Sequence, residues 1–375
     1  MPIEFKEGGS DYSLGVEEEL PIVDATTGEL VQKIEEIMSR LPTELHESVS
    51  YELFQSVMEI KTPPCASTSE VEKHLRELRS RVGSWAAACG ASLASAGTHP
   101  FSRYKDQKVT DQERYKNVLR TLRWIAQREV IFGQHVHVAV PGPDEAIIAH
   151  NRLAEQTPIL LALSANSPFW QGFDTGFESA RVKIFENFPR AGLPPAFPDY
   201  EAFEGYVDLM VESGAIEDYT FCWWDVRPHP KIGTIELRVL DSQTSLKNTL
   251  ALTALTQCLV AQVLEEVGPH EPYNMHLAVE NKFRAARYGM DARFYDVREK
   301  ITVPARDLAR NLVERLQPHA QDLGCESELE GVLEIVEGGT GSQRQREIYK
   351  ESGNFLDVVA FLIEGTRPAL AEEQS

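Results

Sequence analysis

The clearest pattern in the chain is the alternation of apolar and ionisable residues between Phe132 and Val140. Valines occupy one parity of this stretch, whereas His135 and His137 occupy the other. Because side chains two residues apart on a strand share a face, we predict a strand with one apolar face and one face bearing two imidazoles. A half-buried strand whose polar face meets water gives the same pattern, so the interpretation depends on the other strands.

A second alternating stretch, Leu14 to Val23, places Glu17 and Glu19 on one face of a predicted strand. Two carboxylates at neighbouring positions of one face repel each other unless a cation lies between them. The alternative is a solvated strand edge whose charges oppose aggregation. Residues 29–32 are expected to return as the second strand of a hairpin.

Two later stretches have the same character. Residues 57–61 read as a strand with Glu59 among apolar neighbours, and residues 232–239 read as a strand with Glu236 and Arg238 on its polar face. A carboxylate and a guanidinium two residues apart also fit a simple salt bridge. Together with the glutamates and histidines above, however, they indicate that several strands contribute to one polar face.

Helical periodicity dominates the rest of the chain. We expect five helices. One begins at Ser67 or Ser69, a second begins at Asp144, and the other three span residues 246–267, 273–288 and 305–317. Tyr115, Leu119, Leu122 and Ile125 are expected to form a buried helical stripe. Residues 173–198 have no clear period and are expected to form a long loop, in which Arg181 and Lys183 are candidates to face a substrate. Alternating strands dispersed among long helices favour an α+β fold, an antiparallel sheet with helices on one face only.

Composition narrows the function. A net charge of −21 argues against nucleic acid or an anionic membrane as partner. The first residues, MPIEFKEGGSD, contain no apolar segment typical of a signal peptide. The five cysteines are scattered and include no C-x-x-C pair, which favours reduced thiols in the cytoplasm and no structural zinc site.

A sheet face carrying several glutamates requires cations. Oxygen-rich ligand sets suit Mg²⁺ or Mn²⁺, and an imidazole is tolerated better by Mn²⁺. Divalent ions beside arginines suit phosphoryl transfer, in which the metal neutralises phosphates and arginine stabilises the transition state. The residues therefore indicate a metal-dependent phosphoryl-transfer enzyme, and their spacing does not identify the acceptor.

The sequence also resembles the second type of glutamate–cysteine ligase, a carboxylate–amine ligase family related to glutamine synthetase in its catalytic fold. The resemblance runs from about residue 11 to the C-terminal helices and rests on motifs in the family's order: LGVEEEL, MEIKT, GQHVHV, WWDVRPHPKIGTIELRVLD with the following Gln243 and Thr244, and NKFRAARYGMDA. It implies a curved antiparallel sheet, shaped as a half-funnel with helices on its convex face, in one catalytic domain over residues 1–375.

The resemblance implies roles for individual residues. It implies two or three Mg²⁺ ions around the phosphates of ATP, held by Glu17, Glu19, Glu52, Glu59, His135 and Glu236. Glu52 has an unclear strand register. Arg238 and Glu236 are implied to be catalytic, with Arg238 stabilising the transferring phosphoryl group. Contacts to substrate or phosphate are expected from Arg227, His137, Arg287 and Arg344.

The implied reaction has two steps. ATP phosphorylates a carboxylate to give an acyl phosphate and ADP, and an amine then displaces phosphate to form an amide. Glutamate is the expected carboxylate, cysteine or another amine the acceptor, and a homodimer the expected assembly. Two alternatives remain at this point: a guanidino-type kinase on the same fold, and a nucleotide- or metal-binding regulator without turnover.

Overall fold

A computed structural model describes residues 3–7, 9, 11–266, 274–297 and 299–368. The strands are β1 (Leu14–Asp24), β2 (Val49–Tyr51), β3 (Val57–Lys61), β4 (Ala91–Leu93), β5 (Gln134–Ala139), β6 (Phe169–Trp170), β7 (Phe173–Asp174), β8 (Val226–His229), β9 (Thr234–Leu237), β10 (Arg293–Asp296) and β11 (Ile301–Pro304). The helices are α1 (Ile34–Arg40), α2 (Thr68–Ala88), α3 (Glu113–Leu122), α4 (Trp124–Gln127), α5 (Pro143–Ala154), α6 (Thr157–Ser164), α7 (Ala180–Phe185), α8 (Tyr200–Glu212), α9 (Leu246–Glu265), α10 (Met275–Tyr288), α11 (Ala305–Leu323), α12 (Glu326–Gly338), α13 (Gly341–Ser352) and α14 (Phe355–Thr366).

Seven strands form the main sheet, in the order β2-β3-β1-β5-β9-β8, with β4 also paired to β1. Every pairing between these strands is antiparallel. β1 is the longest strand and pairs with β3 on one side and β5 on the other. The open antiparallel sheet with helices confirms the predicted fold class.

The apolar face of the sheet is covered by helices. Val16 of β1, Val136 and Val138 of β5, and Ile235 and Leu237 of β9 are fully buried. α2, α5 and α9 pack against these strands, and α9 is buried along almost its whole length. The hydrophobic effect therefore holds one face of each strand against the helices and leaves the opposite face available for polar chemistry.

One charged residue lies on the apolar face. Glu18 of β1 forms an ion pair with Arg79 of α2, with Nε–Oε2 and Nη2–Oε1 distances of 2.8 and 2.7 Å, and both side chains are fully buried. Arg79 also donates to the carbonyls of Gln243 and Thr244, and the Thr249 hydroxyl donates to Glu18. Because the donors and acceptors of the pair are matched, it anchors β1 to the helices behind it.

Most predicted elements are confirmed. Ser67 caps α2 by accepting the backbone N–H of Glu70, as its position predicted. The helices expected to end at Val267 and to begin at Tyr273 correspond to α9 and α10, and these two predicted ends lie outside the described residues. α11 continues beyond its predicted end and includes Pro318.

The predicted hairpin is confirmed in a shorter form, whereas two local predictions are wrong. Asp24 donates its N–H to the carbonyl of Glu29 at 2.8 Å and Val31 donates to that of Ile22 at 2.9 Å, so the chain returns antiparallel to the end of β1 before it enters α1. The expected loop 173–198 contains β7 and the helix α7, whose six residues are too few for a visible period. All ten residues of α3 are at least partly exposed, because this helix borders a cavity and not the core.

Within the described parts of the chain, none of the helices combines the length and the apolar character that crossing a membrane requires.

Candidate active site

The face of the sheet opposite the helices, here called the polar face, carries ionisable side chains from β1, β3, β5, β8 and β9 and from the residues directly after β2 and β9. Its residues are Glu17, Glu19, Glu52, Glu59, His135, His137, Arg227, Glu236 and Arg238.

Strand pairing brings the acidic residues of β1 next to partners on both neighbours. Glu19 lies directly opposite Glu59 of β3, and Glu17 lies directly opposite His135 of β5. Directly opposed side chains on one face of a sheet are close enough to interact. The alternation predicted from the sequence therefore becomes a continuous cluster across three strands.

The first group of potential ligands is Glu17, Glu59 and His135, whose ligand atoms all lie within 4.8 Å of one another. The Nδ1 atom of His135 is 3.1 Å from Oε2 of Glu17, and its Nε2 atom is 3.9 Å from Oε1 of Glu19. Burial and the nearby Arg238 lower the pKa of His135 to about 4. A neutral imidazole is the form that coordinates a metal ion.

A second group joins Glu17 to His137 and Glu236. The Nε2 atom of His137 is 3.6 Å from Oε1 of Glu17 and 3.9 Å from Oε1 of Glu236, and it has no hydrogen-bond partner among the described residues. Its Nδ1 atom is 3.1 Å from the hydroxyl of Thr234. A buried nitrogen without a partner, between two carboxylates, is suited to a cation.

The third group consists of Glu19, Glu52 and Glu59. Burial, followed by the charge of Glu19, raises the pKa of Glu52 to about 7. Burial and three neighbouring carboxylates raise the pKa of Glu59 well above its usual value. Three acidic groups this close are mutually repulsive, and divalent cations would remove that repulsion. The donor sets of the three groups, all oxygen apart from one imidazole in each of the first two, fit Mg²⁺ or Mn²⁺.

Two arginines hold Glu236 from opposite sides. Arg227 of β8 reaches Oε2 of Glu236 at 2.7 Å through Nε and 2.6 Å through Nη2, and Arg238 pairs with the other oxygen. Burial alone would raise the pKa of Glu236, but Arg227 and Arg238 lower it far below its usual value. Glu236 therefore remains ionised and fixes both guanidinium groups.

The polar face opens into a cavity of about 430 Å³, here called the central cavity. Its basic wall residues are Lys61, Arg114, Arg181, Arg227 and Arg238, and its aromatic wall residues include Tyr115, Phe185, Phe188, Phe221 and Trp223. His137 and Glu236 lie behind this surface and contact residues that line it. The cavity thus combines acidic, basic and aromatic walls.

Two of the candidate residues lie elsewhere: neither Arg287 nor Arg344 is among the described residues that line the central cavity. Arg287 donates to the carbonyl of Gly176 and stacks 5.0 Å from the ring centre of Tyr288. Arg344 is an exposed residue of α13 whose Nη1 atom is 3.3 Å from Glu347. Arg287 and Arg344 lie on helices, α10 and α13, and not on the strands that form the polar face, which explains why they are separate from the central cavity.

The central cavity also contains residues that sequence reasoning did not select. Lys61 shares a strand face with Glu59, so its spacing was an available signal. Glu129 precedes the apolar run 130–132, and Tyr115 was assigned to a core stripe. Arg181, named only as a candidate within an expected loop, is buried in the cavity wall. Glu129 and Tyr115 lie outside the alternating strands, so alternation gave no signal for them.

Comparisons with known proteins agree with this architecture. A model of the glutamate–cysteine ligase family 2 matches residues 13–360. A Rubrobacter xylanophilus protein, provisionally named glutamate–cysteine ligase 2-1, is 76% identical over 376 residues and covers 100% of both chains. A second protein of that organism, provisionally named glutamate–cysteine ligase 2-3, is 49% identical over 95% of this chain and 97% of its own.

Solved structures show the same fold at low identity. A glutamate–cysteine ligase from Francisella tularensis in complex with AMP superposes with a TM-score of 0.73 at 14% identity, over 97% of this chain and 91% of that one. A bifunctional glutathione synthetase from Pasteurella multocida gives a TM-score of 0.66 at 14% identity, over 95% of this chain and 51% of that one. The family match over most of the chain and the close relatives show that this chain belongs to glutamate–cysteine ligase family 2.

Proposed function

We propose that this protein is an ATP-dependent carboxylate–amine ligase with glutamate as its carboxylate substrate, and that residues 1–375 act as one catalytic domain. The observation that carries the proposal is the set of three overlapping carboxylate and imidazole groups on the polar face, directly beside Arg227 and Arg238. Acidic residues that can hold divalent cations, next to fixed guanidinium groups, suit the phosphates of a nucleotide.

The metal-binding role is assigned to Glu17, Glu19, Glu52, Glu59, His135 and Glu236. Mg²⁺ is the proposed ion, with Mn²⁺ as a substitute, because these residues offer mainly oxygen ligands. When bound, the ions supply positive charge that neutralises the phosphates. His137 adds a second imidazole beside Glu17 and Glu236, and its unpartnered nitrogen supports a contact to the bound metal or phosphate.

The chain's own residues then account for the two steps. The substrate carboxylate attacks the terminal phosphorus of ATP, the bond to ADP breaks, and Arg238 stabilises the charge on the transferring group. Arg227 pairs with the same carboxylate as Arg238 and so holds Glu236 in the position from which it orients Arg238. In the second step an amine attacks the acyl carbon, the bond to phosphate breaks, and amide, phosphate and a proton are released.

The amine is proposed to be cysteine or another amine of similar size. The family and the names of the relatives support cysteine. The aromatic wall formed by Phe185, Phe188 and Trp223 would pack against a small side chain on the amine.

The proposal is tested by incubating the protein with ATP, Mg²⁺, glutamate and a mixed pool of amines that includes cysteine. ADP and free phosphate released only with both substrates, together with a new amide mass, would establish the ligase and identify its amine. ADP with a phosphorylated product and no free phosphate would favour a guanidino-type kinase. No turnover, despite ATP binding, would contradict the proposal for this donor.

A further inference from the structure

Glu129 is an unexplained carboxylate in the wall of the central cavity. It lies between α4 and β5, next to the apolar run 130–132. Both of its carboxylate oxygens are shielded from solvent, and neither accepts a hydrogen bond from any described residue. A carboxylate withdrawn from water without donors is strongly unfavourable, so this position calls for a partner beyond those that the described residues provide.

The surroundings of Glu129 partly balance its charge. Burial raises the pKa of Glu129 well above its usual value, the nearby Arg181 opposes this effect, and Glu19 adds to it. Arg181 is itself committed elsewhere, because its guanidinium donates to the carbonyls of Arg238 and Val239 at 3.2 and 3.3 Å. A positively charged group in direct contact with Glu129 would therefore neutralise its carboxylate, which the nearby Arg181 does only in part.

The geometry near Arg181 leaves little freedom for another arrangement. A side chain at Gly133 would collide with the guanidinium of Arg181, so the glycine is what allows the arginine to reach this depth. The Nε atom of Arg181 has no hydrogen-bond partner within the described chain. Two acceptor oxygens of Glu129 and the Nε donor of Arg181 thus remain without hydrogen-bond partners among the described residues of this wall.

We propose that Glu129 binds the ammonium group of a substrate in the central cavity. This inference rests on the proposed ligase function and adds to it the residue that selects substrates with an amino group. A phosphate is disfavoured, because it would place a further anion beside the acceptor oxygens of Glu129 and the neighbouring carboxylate of Glu19. A metal ion is disfavoured, because Glu129 belongs to none of the described three-ligand groups. An organic ammonium brings three donors and fits a cavity with aromatic walls.

A ligase of this kind has two substrates with an ammonium group: the carboxylate donor, through its α-amino group, and the incoming amine. Equilibrium binding separates them without turnover. Calorimetry compares glutamate with glutarate, which lacks the α-amino group, and cysteine with 3-mercaptopropionate, which lacks the amine. Each comparison is made on the wild-type chain, on Glu129→Gln and on Glu330→Gln, an exposed glutamate of α12 that serves as the control.

The wild-type chain and the control are expected to bind at least one ammonium-bearing ligand about tenfold more tightly than its deamino counterpart, a typical effect of one buried charge pair. Glu129→Gln should abolish that preference with little change for the deamino ligand. If Glu129→Gln loses the preference for glutamate over glutarate, Glu129 binds the carboxylate donor. If it loses the preference for cysteine over 3-mercaptopropionate, Glu129 binds the incoming amine. A preference that persists in Glu129→Gln, or no preference in the wild-type chain, overturns the inference.

Folding and turnover are checked separately. Because Glu129 accepts no hydrogen bond from any described residue, Glu129→Gln should unfold at the same temperature as the wild-type protein or at a higher one. A lower unfolding temperature would indicate a structural role and would contradict the inference. If the wild-type protein forms no amide while its binding preference depends on Glu129, the ligase proposal fails and the ammonium site stands.

Discussion

Lys282 of α10 and Asp225 form an interior ion pair, with Nζ 2.6 Å from Oδ2 and side chains that are only 3% and 2% exposed. Lys282 also lies 3.1 Å from Glu186. The backbone carbonyl of Asp225 accepts the N–H of Arg238 at 2.8 Å. The pair therefore connects a helix outside the sheet to the segment that presents the proposed catalytic arginine.

Replacing Lys282 by methionine should lower the free energy of unfolding by about 3–5 kcal/mol, because it leaves Asp225 buried without its counter-charge. Urea unfolding measures this change. The control is Lys247→Met, which removes an exposed pair with Glu334 and should change the free energy by about 1 kcal/mol or less. Similar losses in the two variants would contradict an anchoring role for Lys282.

Arg238→Ala should reduce the turnover number by about 10²–10³-fold, the usual effect of removing one group that stabilises charge in the transition state. The fold should persist because Arg227 remains 2.6 Å from Glu236 and still compensates its charge. Steady-state kinetics and circular dichroism of the same preparation test both statements. Near-normal turnover in a folded Arg238→Ala protein would exclude the proposed role.

Mg²⁺ should raise the unfolding temperature, since binding relieves repulsion between Glu19, Glu52 and Glu59. At a concentration one hundred times the dissociation constant, the gain in free energy is about 2.7 kcal/mol for a single site. Glu59→Gln should be at least as stable as the wild-type protein without metal, and should gain much less from Mg²⁺. Thermal unfolding with EDTA and with increasing Mg²⁺ provides the comparison, and an equal gain in both proteins would argue against Glu59 as a ligand.

The contribution of His99 and His150 to stability should fall as the pH is lowered from about 6.5 to 4, whereas the raised pKa values of Glu52 and Glu59 act in the opposite direction. Burial lowers the pKa values of His99 and His150 to about 4 in the folded protein. The unfolded chain, with histidine pKa values near 6.5, binds more protons in this window, so acid favours unfolding by roughly 3 kcal/mol per histidine at most. In urea unfolding, the slope of the unfolding free energy against pH should be less positive for His150→Gln than for the wild-type protein between pH 4.5 and 6.5. The two slopes should be equal at pH 7–8.

The strands of the site were predictable because alternation is a local property. Glu17 and Glu19 on one face, and His135 and His137 on another, follow from a two-residue period alone. The register that sets Glu19 opposite Glu59 was not predictable, because it depends on packing and loops that join distant parts of the chain.

Other parts of the cavity, and the buried ion pair on the opposite face of the sheet, lacked a local signal. Glu129 lies in a connection between elements, and its isolation appears only when the surrounding donors are located. The half-buried stripe of α3 has the same periodicity whether the helix packs on a core or borders a cavity. The Glu18–Arg79 pair joins residues 61 positions apart, a distance over which sequence spacing carries no information.

The opposite orientations of Glu18 and its two neighbours make β1 intolerant of a change in length. Inserting or deleting one residue before Glu17 would shift the strand by one position and turn every following side chain to the other side. Glu18 would then leave Arg79 and enter the cavity, while Glu17 and Glu19 would enter the apolar interior. Both the anchoring of the strand and the chemistry of the site would be lost in a single step, so the number of residues in β1 is as strict a requirement as the identity of its three glutamates.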